Sequence, residues 1–137
     1  MAWTVEYLSE SELVLLSVTG EILDEDAKTQ VTETIRLLNE HQSMLVLVDC
    51  SNAVAKASLP SLYRLPDYAA EVGAPWNIHV AVVVSQTRFR IETFHFFELV
   101  SRNAGYDVHL FEDREIAKAW LRQADTIRTG AHHLTST

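Results

Sequence analysis

Cys50 is the residue whose type and place first suggest chemistry. It follows an apolar run, Met44-Leu45-Val46-Leu47-Val48, and the carboxylate Asp49. A cysteine nucleophile in a phosphate-cradling loop needs an arginine five residues further on, so that backbone amides and a guanidinium grip the phosphate together. Here the run is Cys50-Ser51-Asn52-Ala53-Val54-Ala55-Lys56, with lysine in the arginine's place and no glycine to relax the loop. Asp49 beside the thiol raises its pKa instead of lowering it. Cys50 therefore reads as an inert, buried thiol. The remaining enzyme reading is a hydrolase assembled from Asp49, Cys50 and Ser85, and the overall reading is of a protein that is not an enzyme.

The other reactive side chains form no familiar set. The six histidines, His41, His79, His95, His109, His132 and His133, lack zinc-ligand spacing in the folded part, and there is no second cysteine. His95 and Glu98 share a helix face as a single His-x-x-Glu, without a second copy. The acidic group Glu21, Asp24, Glu25 and Asp26 lacks the alternating oxygens and central glycine of a calcium loop. With four glycines in the chain, none of the glycine-rich phosphate or dinucleotide motifs is present. No metal and no cofactor is expected. What remains is positional: ligands of parallel α/β sheets bind outside the carboxyl ends of the strands. Asp49, Ser85, Thr87, Arg88 and Arg90 fall at such ends. Their hydroxyls and guanidinium groups suit a small anion, and equally suit a helix N-cap flanked by solvated arginines.

The elements that position these residues follow from hydrophobic periodicity. Trp3 to Leu8 alternates as a strand, and Leu13 to Val18 is a second, antiparallel to the first across a short polar turn. Gly20 ends it. A helix begins near Leu23 or Asp24, with Asp24, Glu25 and Asp26 in its first turn and Ala27, Val31, Thr34, Ile35 and Leu38 facing the core. The third strand ends at Asp49. Ser58 and Pro60 start a second helix, with Leu59, Leu62, Leu65, Ala69 and Val72 as its buried stripe and a kink expected near Leu65 because of Pro66. His79 to Ser85 is the fourth strand. A third helix runs from about Arg88 to Asn103 and is capped by Gly105. Asp107 to Phe111 is the last strand, and Asp113 caps a final helix.

The order is ββαβαβαβα. It specifies an α/β domain with a mixed, mainly parallel sheet of about five strands and helices largely on one face. Residues 1–124 form the single domain, and 125–137 read as a mobile C-terminal tail. The other face of the sheet then needs cover from the hairpin, a partner subunit or a ligand.

Composition narrows the partners. The chain has 137 residues and a formal net charge of −8, which disfavours nucleic acid and anionic membrane surfaces. The first sixty residues hold only three basic side chains, Lys28, Arg36 and Lys56, so arginine-rich features belong to the second half. No apolar run is long enough for an integral membrane segment, and the first residues are not a signal peptide. A single cysteine fits a reducing, cytoplasmic setting. On the third helix, Ile91 and Phe94 lie opposite Phe89, Phe96 and Val100. With Tyr63 and Tyr68 of the second helix, they suggest an apolar contact surface for a partner or a second copy of the chain.

The strand ending in Asp49 and the Ser58-capped helix resemble STAS domains. FHFFELVSRNAGY (Phe94 to Tyr106) and the ending carried by Phe111, Asp113, Ala117, Trp120 and Leu121 resemble small stand-alone SpoIIAA-like (STAS/Sec14-like) bacterial proteins. The resemblance covers about residues 3–124. It implies a non-catalytic regulatory or interaction module acting through protein contacts, as a homodimer or with a protein regulator. In the antagonists of that family a serine at the start of the corresponding helix is phosphorylated; the nearest matches are Ser58 and Ser61. The alternative is a carrier or sensor of a small apolar or amphipathic ligand held between the sheet and helices two and three, in a cavity near Tyr63, Tyr68, Phe89 and Phe97.

Overall fold

The structure, a computed structural model, describes residues 2–85 and 91–135, with side chains described through residue 124. Its elements are β1 (Ala2–Leu8), β2 (Leu13–Ile22), α1 (Asp24–His41), β3 (Leu45–Ala55), α2 (Leu59–Glu71), β4 (His79–Val84), α3 (Ile91–Asn103), β5 (Asp107–Phe111) and α4 (Arg114–Thr135). The five strands lie in sequence order in one sheet. β1 pairs with β2 antiparallel, and every later pair is parallel. The short polar turn between β1 and β2 permits only the antiparallel pairing, whereas each later pair is separated by a crossover helix.

Strand side chains alternate between two cores. Leu16, Val18, Cys50, Val82, Val84 and Val108 join the core beneath α1, α2 and α3. Leu13, Leu15, Leu45, Leu47, Ala81 and Val83 pack with Ala117 and Leu121 of α4. Three helices thus share one face. The other face is covered by α4, not by the hairpin, whose strands are coplanar with the rest and form one edge of the sheet.

Several boundaries differ from those the sequence suggests. β2 does not stop at Gly20: it runs unbroken to Ile22, with a register shift against β3 between Ser17 and Thr19 and a φ of +86° at Gly20. β3 likewise runs past Asp49 to Ala55. Beyond Cys50 it pairs with β2 alone, so two strands project beyond the sheet as a parallel ribbon. α2 is continuous through Pro66, and Leu59, expected in its buried stripe, is 52% exposed at its first turn. The helical backbone of α4 continues to Thr135, past residue 124, where the tail was expected. Nothing between Asp125 and Thr135 breaks a helix except Gly130, at a cost of about 1 kcal/mol relative to alanine. Among the described residues no helix is long and apolar enough to cross a membrane.

Candidate functional site

An apolar cavity of about 170 Å³ lies between the sheet and helices α1, α2 and α3. Its floor is the upper face of the sheet: Leu16, Val46, Val48, Val80, Val82 and Val108. Its walls are Ala27, Val31, Ile35 and Leu38 of α1, Leu62, Leu65, Pro66 and Ala69 of α2, and Phe94 and Phe97 of α3. Small residues make the space. Ala27, Ala55, Ala57 and Ala69 stand where the first turn of α1, the end of β3 and helix α2 converge. No charged side chain among the described residues lines the cavity. Burial and the carboxylate of Asp67 push the phenol of Tyr106, on the wall, above its ordinary range, so it too stays neutral.

Besides Tyr106, four residues with polar side chains stand around the cavity, Gln30, Thr34, Thr93 and Ser101, all buried, and their polar atoms contribute almost none of its surface. Thr34 differs from the other α1 threonines. Thr29 and Thr32 donate their hydroxyls to the carbonyls of Glu25 and Lys28, four residues back. Thr34 is 8% exposed, and its Oγ1 is buried and makes no hydrogen bond within the protein. Buried hydroxyls are nearly always satisfied, so this orphan is unusual.

The strand-end candidates are used structurally. Asp49 Oδ1 accepts from the amide and hydroxyl of Ser51, at 3.1 and 2.7 Å, and Oδ2 accepts from Arg114 Nη1 at 3.2 Å. Arg114 was not expected from sequence to meet Asp49; the pairing spans 65 residues and has no local signal. Successive residues of a strand face opposite ways. Asp49 meets α4, while Cys50 lies in the core beneath the other three helices. Burial, reinforced by Asp49, pushes the Cys50 thiol up to about 12. The pair cannot act on one substrate. Ser85 is itself bonded. Thr87, Arg88, Arg90 and Phe89 lie outside the described residues.

The expected contact surface is rearranged. Phe94 is 7% exposed and packs into the core, with half-buried Ile91 packed against it. α3 touches α2, β3 and β5 at once, so it buries a broader face than the single stripe that periodicity assigns. Glu98 does not partner His95; its Oε2 accepts from Leu110 N at 2.8 Å and fastens α3 to β5. Tyr68 hydrogen-bonds Thr32 Oγ1 at 2.7 Å beneath Lys28, and Tyr63 is 66% exposed. Neither tyrosine lines the cavity, whereas Phe97 does.

Ser58 caps α2, accepting from Ser61 N at 3.3 Å. Its amide and hydroxyl both donate to Asp24, at 2.7 and 3.0 Å, which ties the start of α2 to the start of α1. A polar cleft lined by Asp24, Lys28, Ser58, Ser61, Arg64 and Tyr68 opens there.

No protein-family model matches the chain, and no match to a curated protein reaches significance. Solved structures do match. One is the anti-sigma factor antagonist SpoIIAA in its unphosphorylated form: TM-score 0.50 and 12% identity over 88% of this chain and 98% of that one. Another is an uncharacterised DUF3478-family protein from Shewanella loihica PV-4: TM-score 0.54 and 17% identity over 88% of this chain and 92% of that one. The chain has the SpoIIAA-like fold.

Proposed function

We propose that this protein is a non-catalytic binding module that takes up a small apolar or amphipathic molecule between its sheet and helices α1, α2 and α3. The observation that carries the reading is the cavity itself: about 170 Å³, on a wall made almost wholly of aliphatic and aromatic side chains. Dry apolar cavities of about 150 Å³ bind benzene in water. The lack of a nucleophile–base pair at Asp49 and Cys50 supports a binding role over a hydrolytic one.

The test is a thermal melt with and without toluene. Saturating toluene raises the Tm of the wild type by mass action on the folded state. Ala27→Leu and Ala69→Leu, which enlarge side chains on the wall, reduce or abolish the rise. A wild type whose Tm ignores toluene refutes the reading.

A second reading, contact with a protein regulator or a second copy, is favoured by one patch. The Asp24–Ser58 clamp brings Leu23 and Leu59 to the same end of the molecule, and Tyr63 follows Leu59 by one turn. All three are at least half exposed. If this patch joins two copies, sedimentation of the wild type shows a dimer that Tyr63→Glu dissociates. A monomeric wild type excludes the homodimer.

A further inference from the structure

The two edges of the sheet differ. An edge strand turns alternate backbone N–H and C=O groups away from its sheet. At β5, Glu98 of α3 accepts from one of these, the amide of Leu110, at 2.8 Å. At β1, among the described residues, only β2 and α1 pack substantially, and α1 lies on one face, over Val5 and Tyr7. β1 has seven residues, no proline and no bulge against β2, and Glu6 is its one charge. The missing neighbour shows in the side chains. Val14, Leu16 and Val18 of β2 are buried, whereas Tyr7, Val5 and Trp3, opposite them in the hairpin, are only half-buried. A long edge of this kind is a template for another strand.

We propose that β1 joins two copies of the chain, by antiparallel β1–β1 pairing about a two-fold axis at Val5. This register pairs the whole strand, from Ala2 opposite Leu8 onward, and sets no like charges against each other. On the exposed face each Glu6 meets Thr4 of the second copy. On the α1 face each Trp3 meets Tyr7, an aromatic pair of the kind that stabilises antiparallel strands. An axis at Glu6 would oppose two carboxylates, and an axis at Thr4 would pair only Ala2 to Glu6. A foreign strand needs no such symmetry, so the self-match favours a second copy as the occupant. The edge is a different surface from the Leu23, Leu59 and Tyr63 patch and is independent of the cavity.

Sedimentation equilibrium of the full chain tests this in the wild type, Thr4→Glu, Thr4→Glu with Glu6→Lys, and Tyr63→Glu. Thr4 and Glu6 are exposed, so the changes spare the core, and urea unfolding checks that each variant is folded. The wild type is expected to be a dimer. Thr4→Glu sets a carboxylate opposite each Glu6 and weakens the dimer about tenfold. Adding Glu6→Lys makes both contacts opposite in charge and restores at least the wild-type affinity. Tyr63→Glu leaves the dimer unchanged. Should Thr4→Glu fail to fold, Thr4→Lys decides, because its lysine faces each Glu6 and must tighten the dimer. A monomeric wild type overturns the proposal. So does a dimer indifferent to the charge at position 4, one not restored by Glu6→Lys, or one dissociated by Tyr63→Glu. The toluene melt judges the cavity separately, whatever the sedimentation shows.

Discussion

Thr34→Val is the substitution whose sign most directly tests the orphan hydroxyl. Valine has nearly the same shape and a similar helix propensity, so the change replaces one buried oxygen by a methyl and disturbs little else. An unsatisfied buried hydroxyl carries a desolvation penalty of about 1–3 kcal/mol, and an added buried methyl contributes about 0.8 kcal/mol. Residual flexibility and partial hydration in the unfolded chain reduce both. A net stabilisation of about 1.5 kcal/mol is expected. For 137 residues, an unfolding entropy of about 2.1 cal/mol/K per residue gives about 0.29 kcal/mol/K in total. The Tm then rises by about 5 °C. Urea unfolding checks it through a higher midpoint at an unchanged slope. Thr32→Val is the control: its hydroxyl bonds both Lys28 O and Tyr68 Oη, so it loses about 1 kcal/mol. The reasoning is refuted if Thr34→Val is neutral or destabilising, because the hydroxyl then has a partner in solution.

Two other perturbations probe the residues that first suggested chemistry. The thiol of Cys50, pushed up to about 12 by burial, stays protonated in the native protein at pH 8 and reacts with a disulfide reagent only as fast as the chain unfolds. Because its folded pKa lies above its unfolded value, its contribution to stability is complete below pH ~9 and declines as pH rises from there toward 12; stoichiometric labelling within minutes under native conditions contradicts this. Ser58→Ala removes the α2 cap and the hydroxyl's bond to Asp24 while the amide's bond stays, costing about 1 kcal/mol in urea unfolding. Ser58→Asp sets a second carboxylate against Asp24 and costs more than the alanine, an order that reverses if the helix N-terminus dominates.

The architecture was legible because each strand is a short apolar run bounded by polar residues, and each crossover helix has its own cap or first-turn acids. What escaped was whatever depends on two distant segments meeting. The β2–β3 ribbon lies where β3 turns polar at Ser51 and Asn52, so the apolar run ends at Asp49 although the strand does not. Periodicity allows a helix one buried stripe and so places Phe94 on a surface, whereas α3 lies in a corner between α2 and the sheet. That Thr34 faces the core was readable from its spacing with Ala27, Ile35 and Leu38. That it lacks a partner was not, since a threonine in a helix ordinarily bonds its own backbone. The cavity is less visible still: it consists of side-chain volume withheld by alanines in three separate elements.

The two faces of the sheet explain why the space sits where it does. Under α4, leucines at 13, 15, 45 and 47 fill the layer with one helix above them. Under α1, α2 and α3 the floor is mostly valine, at 46, 48, 80, 82 and 108. These shorter side chains leave part of the space beneath the three helices unfilled. The same one-carbon enlargement on adjacent residues of β4 should therefore have opposite consequences. Val82→Ile adds a methyl toward the void and stabilises by about 0.8 kcal/mol, while weakening toluene binding. Val83→Ile adds it to the filled layer beneath α4, where overpacking costs about 1–3 kcal/mol, and leaves toluene binding unchanged. Both residues are 2% exposed, and both keep a β-branched side chain in a central strand, so burial and propensity predict the same sign for each. Only the unequal packing of the two faces predicts a difference, and two unfolding curves of equal shift would show that the difference is absent.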